Sequence, residues 1–399
     1  MASLAPIGLI LSTIGACIFS FSATDNVPFN DLSKPDFPSG FVFGTASSAY
    51  QDDVGRMKHM GVDAYRFSIS WTRILPNGRR CNKPNAAGIE YYNNLIDELL
   101  RNDITPFVTI FHWDLPQALE NDGGFLNESI VVDFGEYADL CFATFGDRVK
   151  HWITINEPWS YSVFGYAYGT FPPNRCSKGT KSVALDFSVG RYARYLLDND
   201  CHGGDSGTEP YRVSHHLLLA HATAVQIYRE KYQVSICATQ KGEIGISLNT
   251  EWMVPYDKTS EKDQAAADRA LAFMYGWFME PLNSGMYPSQ MVTHVKGRLP
   301  NFTKEQSELV KGSFDFIGLN YYTAAYAADT PCSDGPTKIH SYLTDACVRQ
   351  TKVKNGIPIG NETGSNWLFI YPEGIRDTLL YTKAMYNDPP VYITENGKM

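Results

Sequence analysis

The sequence predicts an α/β fold and, within that class, a (β/α)8 barrel of the TIM type. Two observations lead to this prediction. Short β-branched or aromatic runs alternate along the chain with segments of helical periodicity, which implies parallel strands joined by right-handed crossovers. The runs are apolar on both faces, as expected for a sheet covered by helices. The alternative is an open doubly wound sheet, but that fold usually carries a glycine-rich phosphate turn after its first strand, and neither GxGxxG nor GxxxxGK(S/T) occurs in the chain.

Seven runs have the composition of barrel strands, one fewer than a closed eight-stranded barrel needs. In chain order they are Phe41–Thr45, Ala64–Ile69, Thr105–His112, His151–Glu157, Glu243–Asn249, Asp315–Tyr322 and Val391–Glu395. Amphipathic segments between them predict helices over Gly88–Arg101, Asp263–Met279 and Gly374–Tyr386. Thr303 and Gln306 lie three positions apart, a spacing that predicts a capping box at the start of a further helix.

The composition is that of a large globular protein with an acidic surface. The chain has 399 residues, of which 44% are hydrophobic and 13% aromatic, so it can bury a large core and disorder is excluded. The net charge of −9 repels phosphate backbones, and we therefore expect no nucleic-acid partner. Beyond the N-terminal residues, no apolar run approaches the roughly 20 residues that a membrane span requires, so we expect no membrane-spanning segment there.

The N-terminal residues are typical of a secretory signal peptide. Ile7 to Phe21 form an apolar run without charge, and the small residues Ser22 and Ala23 follow it. The predicted organisation is a signal peptide over residues 1–23 and a single, incomplete barrel domain over residues 24–399. A buried N-terminal helix is the alternative, because no Lys or Arg precedes the apolar run.

Three Asn-x-Ser/Thr triplets also favour secretion, since such triplets accept N-linked glycans in secreted proteins. Their acceptor residues are Asn127, Asn301 and Asn361. We expect the protein to enter the secretory pathway and to reach the apoplast or the vacuole.

The cysteine spacing fits an oxidising compartment. Cys176 with Cys201, and Cys332 with Cys347, each bracket a polar, turn-rich segment and could close a loop. Cys141 lies on an apolar helix face and is interpreted as a small buried side chain. No CxxC pair exists, so zinc-ribbon and thioredoxin-type sites are excluded, and we predict no metal site.

Two glutamates end predicted strands. Glu157 ends the fourth, in Thr154–Pro158, and Glu395 ends the seventh, in Ile393–Gly397. The carboxyl ends of barrel strands meet at one mouth, so these two side chains can face each other. Glycosidic bond cleavage needs such a pair, one carboxyl protonated and the other ionised, and two like charges drive their pKa values apart. For either glutamate alone, a helix-capping or surface role is the alternative.

Together these segments resemble glycoside hydrolase family 1, the retaining β-glucosidases, in their plant form. The family's acid/base motif T-x-N-E-P matches Thr154–Pro158, and its nucleophile motif I/V-T-E-N-G matches Ile393–Gly397. Further similar segments are Phe41–Ala46, Tyr65–Trp71, Phe111–Asp114 and Asn320–Thr323. The resemblance implies hydrolysis of terminal non-reducing β-D-glucosyl residues from O-glucosides by double displacement, with Glu157 as general acid/base, Glu395 as nucleophile and no cofactor.

The resemblance also implies a set of substrate contacts. The residues that would hold the glucosyl unit are Gln51, His112, Asn156 and Tyr322, and Trp367 would form the platform for the aglycone. Each choice makes chemical sense, because amide, imidazole and phenol groups hydrogen-bond sugar hydroxyls or orient a carboxylate. The expected partner is a small-molecule β-glucoside, while the natural aglycone and the oligomeric state stay open.

The chain departs from the family pattern in three places. The segment between Gln51 and the second strand is short, residues 177–199 read as an insertion, and the sequence given ends at Met399. With the eighth strand and the final helices missing, we expect an unclosed barrel with two unpaired edges and low stability. The alternative function is therefore a catalytically inactive truncated isoform or gene-model product that acts at most as a sugar- or protein-binding remnant.

Overall fold

The computed structural model describes residues 8–10, 34–46, 54–178, 201, 203–233, 240–332 and 340–397. The strands are β1 (Gly8–Ile10), β2 (Phe43–Ala46), β3 (Ala64–Ser68), β4 (Thr105–Phe111), β5 (His151–Asn156), β6 (Glu243–Pro255), β7 (Phe316–Asp329), β8 (Val348–Thr351), β9 (Val353–Lys354), β10 (Ile357–Pro358), β11 (Asn361–Glu362), β12 (Phe369–Ile370) and β13 (Val391–Glu395). The α-helices are α1 (Val54–Met60), α2 (Trp71–Ile74), α3 (Ala86–Arg101), α4 (Gln117–Asn121), α5 (Ile130–Phe145), α6 (Pro158–Tyr166), α7 (Glu209–Tyr228), α8 (Glu261–Leu271), α9 (Trp277–Ser284), α10 (Ser289–Val295), α11 (Lys304–Val310), α12 (Tyr342–Asp345) and α13 (Pro372–Met385). Short 3₁₀ turns lie at Lys34–Asp36, Gly124–Leu126 and Lys296–Arg298, and π-helical turns lie at Arg229–Gln233 and Ala272–Gly276.

The seven predicted strands form a parallel barrel, which confirms the predicted fold class. Strands β2 to β7 pair in chain order, and β13 pairs with β7 in parallel register, with Val391 opposite Ile317. Five of the seven agree with their predicted bounds to within two residues at either end. The exceptions are β6 and β7, which continue together to Pro255 and Asp329, well past the predicted ends. Beyond the barrel, β8 pairs with the end of β7 as an antiparallel neighbour. The extended parts of β6 and β7 and strand β8 thus form a small sheet that continues past the barrel.

The gap between β13 and β2 is filled, contrary to the expectation of two unpaired edges. The three-residue strand β1 lies in this gap and pairs in parallel with both neighbours. Gly8 and Leu9 lie opposite Tyr392 and Ile393 on β13, and Leu9 also lies opposite Phe43 on β2. The apolar composition that suggested a signal peptide also suits a central strand of a parallel sheet. The predicted signal peptide thus stays a prediction, and the barrel is nearly closed.

Helices cover the barrel as the periodicity predicts. In α3, residues Tyr92, Leu95, Ile96 and Leu99 face the core, at the spacing of one helical stripe. The segment predicted as a helix over 263–279 is α8, a π-helical turn and α9 in succession. The capping box before α11 is confirmed, because Thr303 and Gln306 exchange side-chain-to-backbone hydrogen bonds.

Both predicted cysteine pairs are joined in the structure. Cys176 and Cys201 form one disulfide, and Cys332 and Cys347 form the other. Cys141 is fully buried on α5, where desolvation raises the pKa of its thiol, as its interpretation as a core side chain requires. Within the described ranges, every helix is too short or too polar to cross a lipid bilayer.

Candidate active site

Glu157 stands at a sharp turn between β5 and α6. Its φ of 43° is left-handed, which is uncommon for a residue with a side chain, and Pro158 then begins the helix. Proline fits this first position because its missing N–H would find no partner within the helix. The Glu157 side chain makes no capping bond to the helix. The turn therefore directs the carboxylate toward the barrel mouth, and the helix-capping alternative does not describe this residue.

The Glu157 carboxylate is buried and accepts hydrogen bonds from neutral groups. Asn320 Nδ2 donates to its Oε1 at 2.7 Å, and Ser160 Oγ donates to its Oε2 at 2.8 Å. Its relative exposure is 8%. Burial, followed by the negative charge of Glu395, raises the pKa of Glu157 to about 7. A carboxyl in this state can hold a proton near neutral pH.

Glu395 ends β13 and is paired with a cation. Arg66 Nη1 donates to its Oε1 at 2.7 Å, and the Tyr322 hydroxyl donates to its Oε2 at 2.6 Å. Burial opposes ionisation of this group, but the charge of Arg66 and the bond from Tyr322 outweigh it and lower the pKa of Glu395. The two carboxyls thus differ in protonation, as the sequence argument expected for a pair with separate roles.

Arg66 and Asn320 join the two glutamates into one cluster. Besides Glu395, Arg66 binds Asn156 Oδ1 at 2.5 Å and Thr109 Oγ1 at 3.1 Å, and the arginine side chain is almost fully buried. Sequence reasoning assigned neither Arg66 nor Asn320 a role, although both lie in segments quoted for the resemblance. The available signal was a charged or amide residue inside an otherwise apolar strand, since such groups are rarely buried unless paired.

Asn156 and His112 lie on the same side of the cluster. Asn156 Nδ2 lies 3.2 Å from His112 Nε2, and the Asn156 carbonyl accepts a bond from Trp113 Nε1 at 2.8 Å. Burial, and secondarily the charge of Arg66, lowers the pKa of His112 to about 4. The imidazole is therefore neutral at physiological pH, with one nitrogen that donates and one that accepts.

The remaining predicted residues divide into three groups. The Trp367 ring is 5.7 Å from the Tyr322 ring in an edge-to-face arrangement, which places it beside the carboxylate cluster. Gln51 lies outside the described residues, as does most of segment 177–199. The predicted glycan acceptors are exposed on the surface: Asn127, Asn301 and Asn361.

One group of side chains in the described part of the chain has metal-ligand spacing. His294, Cys332 and Cys347 bring their ligand atoms within 4.8 Å of one another. The two sulfurs are joined in the disulfide, which removes the thiolates that a metal would need.

The mouth of this parallel barrel holds two carboxyls, one with a raised pKa and one with a lowered pKa. This is the arrangement of a glycosidase. Residues 50–399 match the family described as glycosyl hydrolase family 1, and the chain belongs to this family.

Its relatives are plant enzymes. It is 48% identical to raucaffricine-O-beta-D-glucosidase of Rauvolfia serpentina, over 95% of this chain and 77% of that protein. It is also 48% identical to beta-glucosidase 12 of Oryza sativa subsp. japonica, over 98% of this chain and 81% of that protein. These matches give no support to the alternative of an inactive remnant.

Solved structures agree with the sequence relatives. The rice Os3BGlu6 beta-glucosidase superposes with a TM-score of 0.82 at 43% identity, covering 92% of this chain and 81% of the rice chain. A mutant of that rice enzyme has been solved in a covalent complex with Glc from GA4GE. The beta-glucosidase of Thermotoga maritima is more distant, with a TM-score of 0.69 at 35% identity over 87% of this chain.

Proposed function

We propose that this chain is a retaining β-glucosidase that hydrolyses terminal non-reducing β-D-glucosyl residues from O-glucosides. The observation that carries the proposal is that two carboxyls within one cluster have pKa values shifted in opposite directions. Glu157, bound by neutral donors, keeps its proton to a pKa of about 7, whereas Glu395, paired with Arg66, is held ionised. Glycoside hydrolysis with retention needs one acid and one nucleophile in this state.

In the first step, the ionised Glu395 attacks the anomeric carbon. A bond forms between a Glu395 carboxylate oxygen and that carbon, while the bond from the carbon to the glycosidic oxygen breaks. Glu157 gives its proton to the departing oxygen, so the aglycone leaves as a neutral alcohol. The products are a glucosyl-enzyme ester and an ionised Glu157.

In the second step, Glu157 acts as the base. It takes a proton from a water molecule, whose oxygen then attacks the anomeric carbon as the ester bond to Glu395 breaks. Two inversions at the same carbon give net retention of the β configuration. Glucose leaves, Glu157 is protonated again and Glu395 is again a carboxylate bound to Arg66 and Tyr322.

Neighbouring residues hold the sugar in this proposal. The neutral imidazole of His112 and the amide of Asn156 bind hydroxyls of the glucosyl unit, with Gln51 as a further contact. A bond from Asn156 to the 2-hydroxyl would strengthen in the transition state, where such bonds supply several kcal/mol. Trp367, beside Tyr322, offers an aromatic face to the aglycone.

Secretion and glycosylation belong to the same proposal. The exposure of Asn127, Asn301 and Asn361 supports their use as glycan acceptors, because a sequon must reach solvent to be modified. The disulfide bonds are consistent with an oxidising compartment. Intact-mass measurement before and after enzymatic deglycosylation of the plant-expressed protein tests this part, and an unchanged mass contradicts it.

The activity is tested by hydrolysis of an aryl β-D-glucoside and by trapping. A 2-deoxy-2-fluoroglucoside with a good leaving group should add the mass of one 2-deoxy-2-fluoroglucosyl group to the protein, and the label should map to Glu395. The Glu395→Gln variant should lose hydrolysis and labelling, whereas Glu90→Gln, on the exposed face of α3, should keep both. Equal aglycone release by wild type and Glu395→Gln would show that the assigned mechanism is wrong.

A further inference from the structure

The Glu157 carboxylate accepts a hydrogen bond from the side chain of Ser160 and not from the helix backbone. An acidic residue before a helix commonly accepts bonds from backbone N–H groups of the first turn. Glu157 makes no such bond, and its Oε2 instead accepts the hydroxyl of Ser160, the third residue of α6, at 2.8 Å. Ser160 has 2% relative exposure, so no bulk water competes for this contact.

The ordinary partner of a helical serine is already engaged. Serine hydroxyls within helices usually bond to the carbonyl four residues earlier. For Ser160 that carbonyl belongs to Asn156, and it accepts the indole N–H of Trp113 at 2.8 Å. The Ser160 hydroxyl donates to Glu157 rather than to this carbonyl, which lies before the first residue of the helix.

A second side chain fixes the direction of the hydroxyl hydrogen. Asn249 Nδ2, from β6, donates to Ser160 Oγ at 3.0 Å. Because the serine oxygen accepts this bond, its single hydrogen is available for Glu157. The other atom of the same amide, Asn249 Oδ1, is buried and has no hydrogen-bond partner among the described residues, so Ser160 is the described polar contact of this side chain.

We propose that Ser160 is a positioning residue for Glu157, oriented as a hydrogen-bond donor by Asn249. This inference rests on the proposed acid/base role of Glu157 and goes beyond it. Ser160 keeps its own proton throughout: in the first step the proton on Glu157 passes to the leaving oxygen, and the serine bond then stabilises the carboxylate that remains. In the second step the same bond holds that carboxylate in place while it takes a proton from water.

The ionisable groups that face Glu157 or its partner carboxylate come from other elements and stay in place when Ser160 changes. They are Glu395 on β13, Arg66 on β3 and the Tyr322 hydroxyl on β7, while His112 after β4 acts on Glu395. Removal of a donor to the ionised form raises the pKa of a carboxyl. A hydrogen bond to a charged group is strong enough to move that pKa by about one unit.

The test compares Ser160→Ala and Ser160→Thr with Ser162→Ala as the matched control. Ser162 lies on the same helix and is equally buried, but its hydroxyl oxygen accepts a bond from the Ser214 hydroxyl at 2.8 Å. The protonation of Glu157 is read from isotope-edited infrared or carboxyl ¹³C titration, with Glu157→Gln identifying the signal. We expect the midpoint to rise by about one pH unit in Ser160→Ala, with Ser160→Thr and Ser162→Ala within a few tenths of wild type.

A kinetic comparison separates positioning from general damage. An alkyl β-glucoside needs a proton on its leaving oxygen, whereas a dinitrophenyl β-glucoside does not. In Ser160→Ala we expect kcat/KM to fall about tenfold for the alkyl substrate, with little change for the dinitrophenyl substrate. Ser162→Ala should affect both substrates equally or neither.

An unchanged Glu157 midpoint in Ser160→Ala, or an equal shift in Ser162→Ala, overturns the proposal. If Ser160→Ala does not fold, Asn249→Ala is measured in its place, and a midpoint that stays at the wild-type value is again decisive against it. The titration is read without turnover, so a chain that hydrolyses neither substrate contradicts the proposed function while the midpoint still decides the role of Ser160. Hydrolysis of both substrates with an unmoved midpoint contradicts the role of Ser160 alone.

Discussion

The two glutamates at the barrel mouth have hydrogen-bond partners of different charge. On one side, Glu157 accepts bonds from the neutral groups of Asn320 and Ser160. On the other, Glu395 is paired with the Arg66 guanidinium and the Tyr322 phenol. Both glutamates follow an apolar strand and both are largely buried. The difference follows from the position of the Arg66 guanidinium, which bonds to Glu395 and not to Glu157.

Charge balance explains why the two sides cannot be alike. Two ionised carboxyls in a buried cluster would repel each other, and a single arginine compensates only one of them. Arg66 bonds to Glu395 directly, whereas it reaches the Glu157 side through Asn156, a neutral amide. The cation therefore favours ionisation of Glu395 first. Glu157 is left with burial and a negative neighbour, and both raise its pKa.

Replacing Arg66 should reduce the pKa difference between Glu157 and Glu395 and have the largest effect on kcat/KM. Arg66→Met leaves Glu395 buried without its cation, and loss of one partner of a buried pair costs about 3–5 kcal/mol. We expect kcat/KM to fall by about 1,000-fold and the acid limb of its pH profile to move upward. Arg66→Lys should recover part of the activity, since it keeps the charge but cannot bond to Glu395, Asn156 and Thr109 at once.

A matched control for this variant is an arginine whose contacts within the described part of the chain include neither carboxylate of the cluster. Arg298 makes a two-pronged pair with the fully buried Asp345 at 2.6 and 2.7 Å. Arg298→Met should lower the melting temperature to a similar extent without moving the acid limb. If the two variants lose activity in proportion to stability alone, Arg66 has no special part in tuning Glu395.

The pH profile of the unmodified chain measures the difference directly. Glu395 must be ionised, so the rate should rise with pH through a pKa below the ordinary value of 4.5. Glu157 must be protonated, so kcat/KM should fall as pH rises through about 7, tenfold for each further unit. The expected profile is a bell with its plateau between these values, measured as kcat/KM at constant ionic strength. A rate that is still rising at pH 8 would mean that Glu157 is not the required acid.

Removal of the Tyr322 hydroxyl should have the smallest effect on kcat/KM of the changes considered for Glu395. Tyr322→Phe deletes a bond to Glu395 and leaves the Arg66 pair intact, so we expect a loss of about tenfold in kcat/KM, which corresponds to roughly 1.4 kcal/mol. Tyr321→Phe is the control, because the neighbouring hydroxyl bonds to the Tyr371 carbonyl at 2.8 Å, away from the carboxylates. Equal losses in the two variants would indicate a packing effect rather than support of the nucleophile.

The strand ends were predictable from sequence, and the links between them were not. Val391–Glu395 agrees with its predicted bounds because a β-branched run is stopped abruptly by Asn-Gly. The meeting of Glu157 and Glu395 follows from barrel topology. Arg66 was missed because its role depends on which side chains the neighbouring strands bring to the same level, and a single sequence does not give that register. The lengths of β6 and β7 were missed because their outer halves form a ribbon that only tertiary pairing stabilises.

The strand β1 lay beyond sequence reasoning for a different reason. A short apolar run has no periodicity that separates a signal peptide from a buried strand. Its place in the barrel is set by partners more than 30 and 380 residues away, Phe43 on β2 and Tyr392 on β13. Local patterns carry no information about such pairing.

The position of β1 bears on the strand that ends at Glu395. On β13, Ile393 lies two residues before Glu395 and is flanked by β7 on one side and by Leu9 on the other. Pairing on both sides should hold the end of β13, and with it the Glu395 carboxylate, more firmly than pairing with β7 alone. Amide hydrogen exchange at Ile393, compared between chains with and without residues 1–23, would register this difference directly.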